Sequence, residues 1–177
     1  MRTTRVRRPP ASAVILALGV LALAAAPVPR KSPEFTIVEP AGKQTQLSSL
    51  KAKVVAVEFF LTTCPRCWRL AATLAKLGKE LGPRGFQPIG IAFDNHLLAP
   101  AVTDFVARSG VTYPVGYSTA EKVDGYLGRE GRERFQVPQI VVIDRTGVIR
   151  AQSRPSGEVN LESESYLRNL IDSLLKE

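Results

Sequence analysis

The ten residues FFLTTCPRCW, positions 59–68, hold both cysteines of a 177-residue chain, spaced C-x-x-C. A disulfide across two intervening residues closes so small a ring that it adds little stability. The pair therefore reads as a chemical device rather than a staple. Upstream, KVVAVEFF (53–60) is β-branched and aromatic and reads as a buried strand. Downstream of Cys64, apolar residues fall at Cys67, Leu70, Ala71, Leu74, Leu77 and Leu81, which is helical spacing, with Arg66, Arg69, Lys76 and Lys79 on other faces. Gly82-Pro83 stops this helix. The cysteines thus sit where a strand ends and a helix begins. A helix N-terminus carries roughly half a positive charge and unpaired N–H groups, which favours a thiolate on Cys64, the first and more exposed sulfur. Arg66 is expected to add a fixed cation beside it. Pro65 suits the first helical turn, where a missing N–H costs little. Cys67, one turn in, can reach back and resolve a mixed disulfide.

Working outward, the strand–helix alternation continues. FTIV (35–38) reads as a first strand and GKQTQLSSL (42–50) as a hairpin turn leading into one helical turn. FQPIGIAF (86–93) is a strand, 101–109 a short helix with Val102, Phe105 and Val106 inward, and VTYPVGY (111–117) an extended piece. Residues 119–127 are expected to be helical and GREGRER (128–134) a polar loop. QIVVID (139–144) and VIRAQS (148–153) are two strands joined at hairpin length by RTG, and 161–175 closes the chain as an amphipathic helix. The order β-α-β-α-β-α-β-β-α implies an α/β fold, a central mixed sheet with helices on both faces.

The formal charge of +8 invites a nucleic-acid reading, but the excess is confined to one end. Residues 1–30 hold five arginines and no acid; the rest has 19 basic and 16 acidic residues, a net +3. No basic face interleaved with aromatics is present, so nucleic acid is excluded as a partner. Arg2, Arg5, Arg7 and Arg8 form a positive n-region, and the uncharged apolar run 11–26 follows. It suits a signal peptide's core and falls short of the about 20 residues that span a bilayer comfortably. Residues 1–26 are accordingly expected to be a signal peptide or an N-terminal membrane anchor, 27–33 a linker and 34–177 one domain. With no cysteine near the end of the run, a lipoprotein is excluded. Either reading places the domain outside the cytoplasm, in a bacterial periplasm or on the outer face of the inner membrane, where thiols can oxidise.

Three features together resemble the thioredoxin-like thiol–disulfide oxidoreductases, particularly those of the exported TlpA/ResA type. They are CPRC after an apolar strand, the segment FQVPQIVVIDRTGVIR (135–150), and GFQPIGIAFDN (85–95) followed by AVTDFVARSGVTYPV (101–115). The resemblance spans roughly 35–175. It implies a thioredoxin fold, a redox-active Cys64–Cys67 pair, and Pro138 as the cis-proline beside it. The missing N–H of Pro138 and its bend would let the backbone of Val137 pair with a client strand. Glu58, six residues before Cys64, stands where thioredoxin has its buried aspartate and is expected to exchange a proton with Cys67. Val137, Thr63, Pro65 and Arg66 are the expected client contacts. Thr63 departs from the family, which commonly has tryptophan there. EFF before the motif and the valine before Pro138 are similar to DsbA, whose long helical insertion is absent.

Clients are expected to be proteins with thiols or disulfides, and no cofactor is expected. Because the chain has no third cysteine, a membrane redox partner must reset the pair. Peroxidase chemistry of the peroxiredoxin type wants a threonine three residues before its cysteine, and Leu61 sits there. Trp68 reads as packing. The alternative from another class is a copper-binding chaperone of the same fold, with the lone His96 joining the two sulfurs. Copper-delivery proteins of this fold usually carry C-x-x-x-C, so no metal site is expected here.

Overall fold

Seven consecutive buried residues, VVAVEFF, form the strand from which the rest of the domain is organised (β4, Val54–Phe60). A strand buried on both faces needs covering layers on each, and the computed structural model supplies them; it describes residues 27–94, 98–129, 136–155 and 159–177. The other strands are β1 (Arg30–Lys31), β2 (Thr36–Val38), β3 (Gln44–Gln46), β5 (Phe86–Ala92), β6 (Val115–Tyr117), β7 (Gln139–Ile143) and β8 (Val148–Gln152). They make one mixed sheet in the order β1-β8-β7-β4-β5-β6-β2-β3. At its centre β4 pairs parallel with β5 and antiparallel with β7. The helices are α1 (Pro65–Leu81), α2 (Leu98–Ser109), α3 (Ala120–Leu127), α4 (Val159–Glu162) and α5 (Glu164–Leu174). The α/β fold expected from the sequence is the one observed.

The period of two along β4 divides the core. Val54, Ala56 and Phe60 face α1, α2 and α5 in one cluster, which contains Cys67, Leu70, Leu74, Leu77, Phe105, Leu167 and Ile171. Val55, Val57 and Phe59 face the other side, where Val123, Tyr126 and Leu127 of α3 pack with Phe35 and Ile37. Phe35, Phe59 and Tyr126 meet there with ring centroids 5.3–5.8 Å apart. Glu58 falls in the even-numbered set, so its side chain is directed to the face that α1 covers.

Several boundaries differ from the sequence reading. Arg30–Lys31, expected within a linker, add an edge strand antiparallel to β8. Arg30 secures it, its Nη2 donating to Gln152 Oε1 at 2.7 Å and to the Tyr126 carbonyl at 3.1 Å. The stretch 42–50 contributes a true strand, β3, before its 3-10 turn, because the hairpin pairs Ile37 with Thr45. Helix α2 begins at Leu98, earlier than expected. The closing helix is two helices, broken at Ser163, whose backbone is extended (φ −80°, ψ 125°) as it caps α5. Residues 1–26, His96 and most of the polar loop at 128–134 lie outside the described residues.

Gly116 in β6 illustrates how tightly the sheet margin closes. A Cβ there would stand 2.8 Å from the Val38 carbonyl oxygen and 2.8 Å from Ile37 Cγ2. Backbone cannot move aside as a side-chain tip can, so Gly116→Ala is expected to destabilise the domain by about 1–3 kcal/mol. The urea midpoint should fall at unchanged slope; an unshifted midpoint would show that β2 yields freely.

Candidate active site

Cys64 occupies the N-cap of α1, with extended backbone (φ −84°, ψ 115°) and Pro65 in the first turn. N-cap positions normally carry an oxygen that accepts an N–H from the first turn. Here a sulfur does so: Cys64 Sγ accepts from the Cys67 N–H at 3.3 Å. The same sulfur lies 3.8 Å from the Val137 carbonyl, to which its S–H donates. Cys64 is half-buried, whereas Cys67 is fully buried, and both are free thiols. Burial, then the hydrogen bond with Cys64, then the charges of Glu58 and Cys64 push the Cys67 thiol far up. Thr63 and Pro65 are exposed beside the sulfur.

Across from the cysteines runs the loop into β7. The Val137–Pro138 peptide bond is cis; Pro138 is buried and Val137 half-buried. This loop is tied to the far end of β8 by Gln139, whose Nε2 donates to the carbonyls of Gln136 at 2.6 Å and Arg154 at 3.2 Å. Ser153 Oγ accepts the Ile140 N–H at 3.0 Å. The backbone that faces Cys64 is therefore held from behind.

Glu58 lies fully buried, register-paired with Gly90 on β5 and Ile140 on β7. Neither carboxyl oxygen has a hydrogen-bond partner. An unpartnered buried carboxylate is costly; burial foremost, then negative charge at Cys64 and at Glu162, raises its proton affinity well above the usual carboxylate range. Arg66 differs from expectation. It is not a free cation beside Cys64, because its guanidinium is forked onto Glu162, with Nη2 on Oε1 at 2.5 Å and Nε on Oε2 at 3.2 Å.

Two functional neighbours escaped the sequence reading. Asp94, just past the end of β5, accepts the Thr62 N–H at 3.0 Å and the Thr62 hydroxyl at 3.0 Å. It fixes the turn that leads into Cys64. Its signal was an acid directly following an apolar strand at the end of the sheet where the cysteines emerge. Glu162 had no local signal. Trp68 is a packing residue: its Nε1 donates to the Thr62 carbonyl at 2.8 Å and its ring meets Phe105 edge-on at 4.9 Å. Beside it, a cavity of about 270 Å³ is lined by Thr62, Thr63, Trp68, Phe105 and Arg108. Among the described residues no group of three or more His, Cys, Asp or Glu is arranged to hold a metal ion, and His96 lies outside them.

A mixed sheet whose central strand delivers a C-x-x-C pair to a helix N-terminus opposite a cis-proline defines a thioredoxin-fold redox protein. The Redoxin family pattern matches residues 27–171, and the chain belongs to that family. Its relatives include the thiol-disulfide oxidoreductases ResA of Bacillus thuringiensis (strain Al Hakam) and Bacillus anthracis. Each is 27% identical over 142 residues, covering 80% of this chain and 77% of the relative. A solved thiol:disulfide interchange protein of the thioredoxin family from Chlorobium tepidum TLS superposes with a TM-score of 0.70 at 28% identity, over 85% of this chain and 99% of that one. The protein is thus a thiol–disulfide oxidoreductase of the TlpA/ResA type.

The state of Glu58 has a consequence for stability. Its proton affinity is higher folded than unfolded, so the folded state holds the extra proton and its stability falls as pH rises. The contribution is fully present below the unfolded glutamate range, near 4.5, and is lost as pH climbs through the raised value. Urea unfolding of the reduced protein should therefore weaken from about pH 5 upward, and Glu58→Gln should flatten that slope and gain stability at neutral pH. A parallel pH dependence in both proteins would mean that Glu58 is ionised in the fold.

Proposed function

We propose that the protein is exported, or held outside the cytoplasm by its N-terminal segment, and exchanges disulfides with protein clients through Cys64 and Cys67. The observation that carries this is the asymmetry of the pair: an accessible sulfur at a helix N-cap and a buried one a turn behind it. The Cys64 thiolate attacks one sulfur of a client disulfide, forming the Cys64–client bond and releasing the other client sulfur as a thiolate. Cys67 then loses its proton and attacks Cys64 Sγ, which frees the client's second thiolate and closes the Cys64–Cys67 disulfide. Two electrons have passed from the protein to the client. The reverse sequence oxidises a client dithiol. A membrane redox partner returns the pair to its starting state.

Glu58 lies on the same face as Cys67, its carboxyl unpartnered and electrostatically coupled to that fully buried thiol. In its ionised fraction it takes the Cys67 proton during resolution, and in the reverse direction returns it. Val137 offers its carbonyl to a client backbone beside Cys64, and Pro138 keeps that backbone free of a competing N–H. Thr63, Pro65 and Arg66 form the surrounding contact rim.

The reading is tested in cells carrying single cysteine variants. Cys67→Ser should accumulate reductant-sensitive, high-mass mixed disulfides on non-reducing gels, because release then depends on outside thiols without the effective concentration of a neighbouring sulfur. Cys64→Ser should accumulate none. Bands with Cys64→Ser alone would reverse the two roles. Bands with neither, together with stoichiometric copper on the reduced protein, would replace the reading with copper delivery.

Glu58→Gln should leave the first attack near its parent rate and slow resolution by about 10²-fold or more, the low end of what general acid–base catalysis contributes. Stopped-flow tryptophan fluorescence, with Trp68 as reporter, separates the two steps. Equal resolution rates across pH 6–9 would make Glu58 a structural residue.

A further inference from the structure

Arg66 is held from two sides. Glu162, at the end of α4, takes Nη2 at 2.5 Å and Nε at 3.2 Å, and Gln136 Oε1, just before Val137, accepts Nη1 at 3.2 Å. The side chains are 38% and 19% exposed for Arg66 and Glu162, so water only partly screens the pair. A bidentate guanidinium–carboxylate fork also has a defined geometry, unlike most surface ion pairs. It joins three segments that are remote in sequence: the C-x-x-C turn, the loop carrying Pro138, and the C-terminal helices.

We propose that Glu162 is a positioning residue that sets the redox potential of the Cys64–Cys67 couple, by holding Arg66 in place and balancing its charge beside the cysteines. The inference rests on the reading of that pair as the exchanging couple. An unbalanced guanidinium next to a helix N-terminus stabilises a thiolate, hence the reduced form, and makes the couple a stronger oxidant. Glu162 opposes this. Among the described residues, Arg66 from α1 and Glu58 from β4 interact with the cysteines, Glu162 from α4 interacts with both of these, Tyr113 is coupled to Glu58, and Asp94 holds the turn before Cys64; Val137 and Pro138 of the facing loop carry no charge. The coupling is present in both directions. After its hydrogen bond to Glu162, Arg66 also feels the negative charge of Cys64 and Cys67, and after burial Glu58 feels Cys64 and then Glu162. The break at Ser163 lets α4 carry Glu162 to this rim while α5 stays packed on α1.

The experiment is equilibration of the full-length protein with glutathione, in which one protein disulfide and two reduced glutathiones exchange for one protein dithiol and one oxidised glutathione. E162Q keeps an acceptor for Arg66 and removes the charge. It should shift the equilibrium about three- to tenfold toward the reduced protein, a potential about 15–30 mV more oxidising. R66Q should shift it the opposite way. The double variant R66Q/E162Q, like the parent, has no net charge at the pair and should return to within about twofold of the parent, as should E162D. A role confined to holding the fold would leave the potential unmoved or make the double variant the most perturbed. An unchanged E162Q, or a shift in the same direction as R66Q, would overturn the inference. A parent that forms no Cys64–Cys67 couple against glutathione would overturn both this inference and the reading beneath it.

Discussion

The site depends on a substitution of sulfur for oxygen at one helix cap. Cys64 Sγ accepts the Cys67 N–H that a serine or aspartate would ordinarily take at an N-cap. With the bond to the Val137 carbonyl, that contact holds the Cys64 side chain between the first turn of α1 and the facing loop. When a disulfide forms across the same gap, the cap is replaced by a covalent bond between the two residues it already joined. Asp94 holds the turn before Cys64, and the Gln139 and Ser153 contacts hold the facing loop.

The same junction explains the placement of Glu58. Full burial of β4 on both faces is what makes it a central strand, and a period of two assigns every second residue to the α1 side. An acid at position 58 therefore lies under the helix start. Gly90 lies opposite it with no side chain, and a Cβ there would be only 3.3 Å from Phe60 and from Val115. Neither carboxyl oxygen of Glu58 finds a hydrogen-bond donor there. Such a group is a poor contributor to stability and a good proton store, a combination expected where function is served at the expense of the fold.

What could be read from the residues was what local pattern encodes. β4, α1, β5, β7 and β8 follow from apolar periodicity, and their type and approximate limits were legible. So was the Cys64–Cys67 pair, since its meaning depends on two intervening residues and the elements on either side. The elements set by distant pairing were not: Arg30–Lys31 becomes a strand only because β8 offers an unpaired edge, and Gln44–Gln46 only because β2 lies alongside. The break at Ser163 likewise interrupts an apolar spacing that runs on without a pause. Asp94 and Glu162 belong to this class, as each acts on a partner 32 or 96 residues away.

Arg66 shows why this matters for function. Taken alone, a cation inside a C-x-x-C motif argues for a strongly stabilised thiolate and an oxidising couple. With Glu162 forked onto it, the same residue contributes a dipole rather than a net charge, and the argument from the motif loses its sign. Beneath, burial raises the proton affinity of Glu58 and so disfavours a negative charge there. The electrostatic field at Cys64 is then left largely to the helix N-terminus, with its unpaired N–H groups and partial positive charge. The potential of such a pair is set by a sum over α1, α4 and β4, and it cannot be assigned from the four residues of the motif.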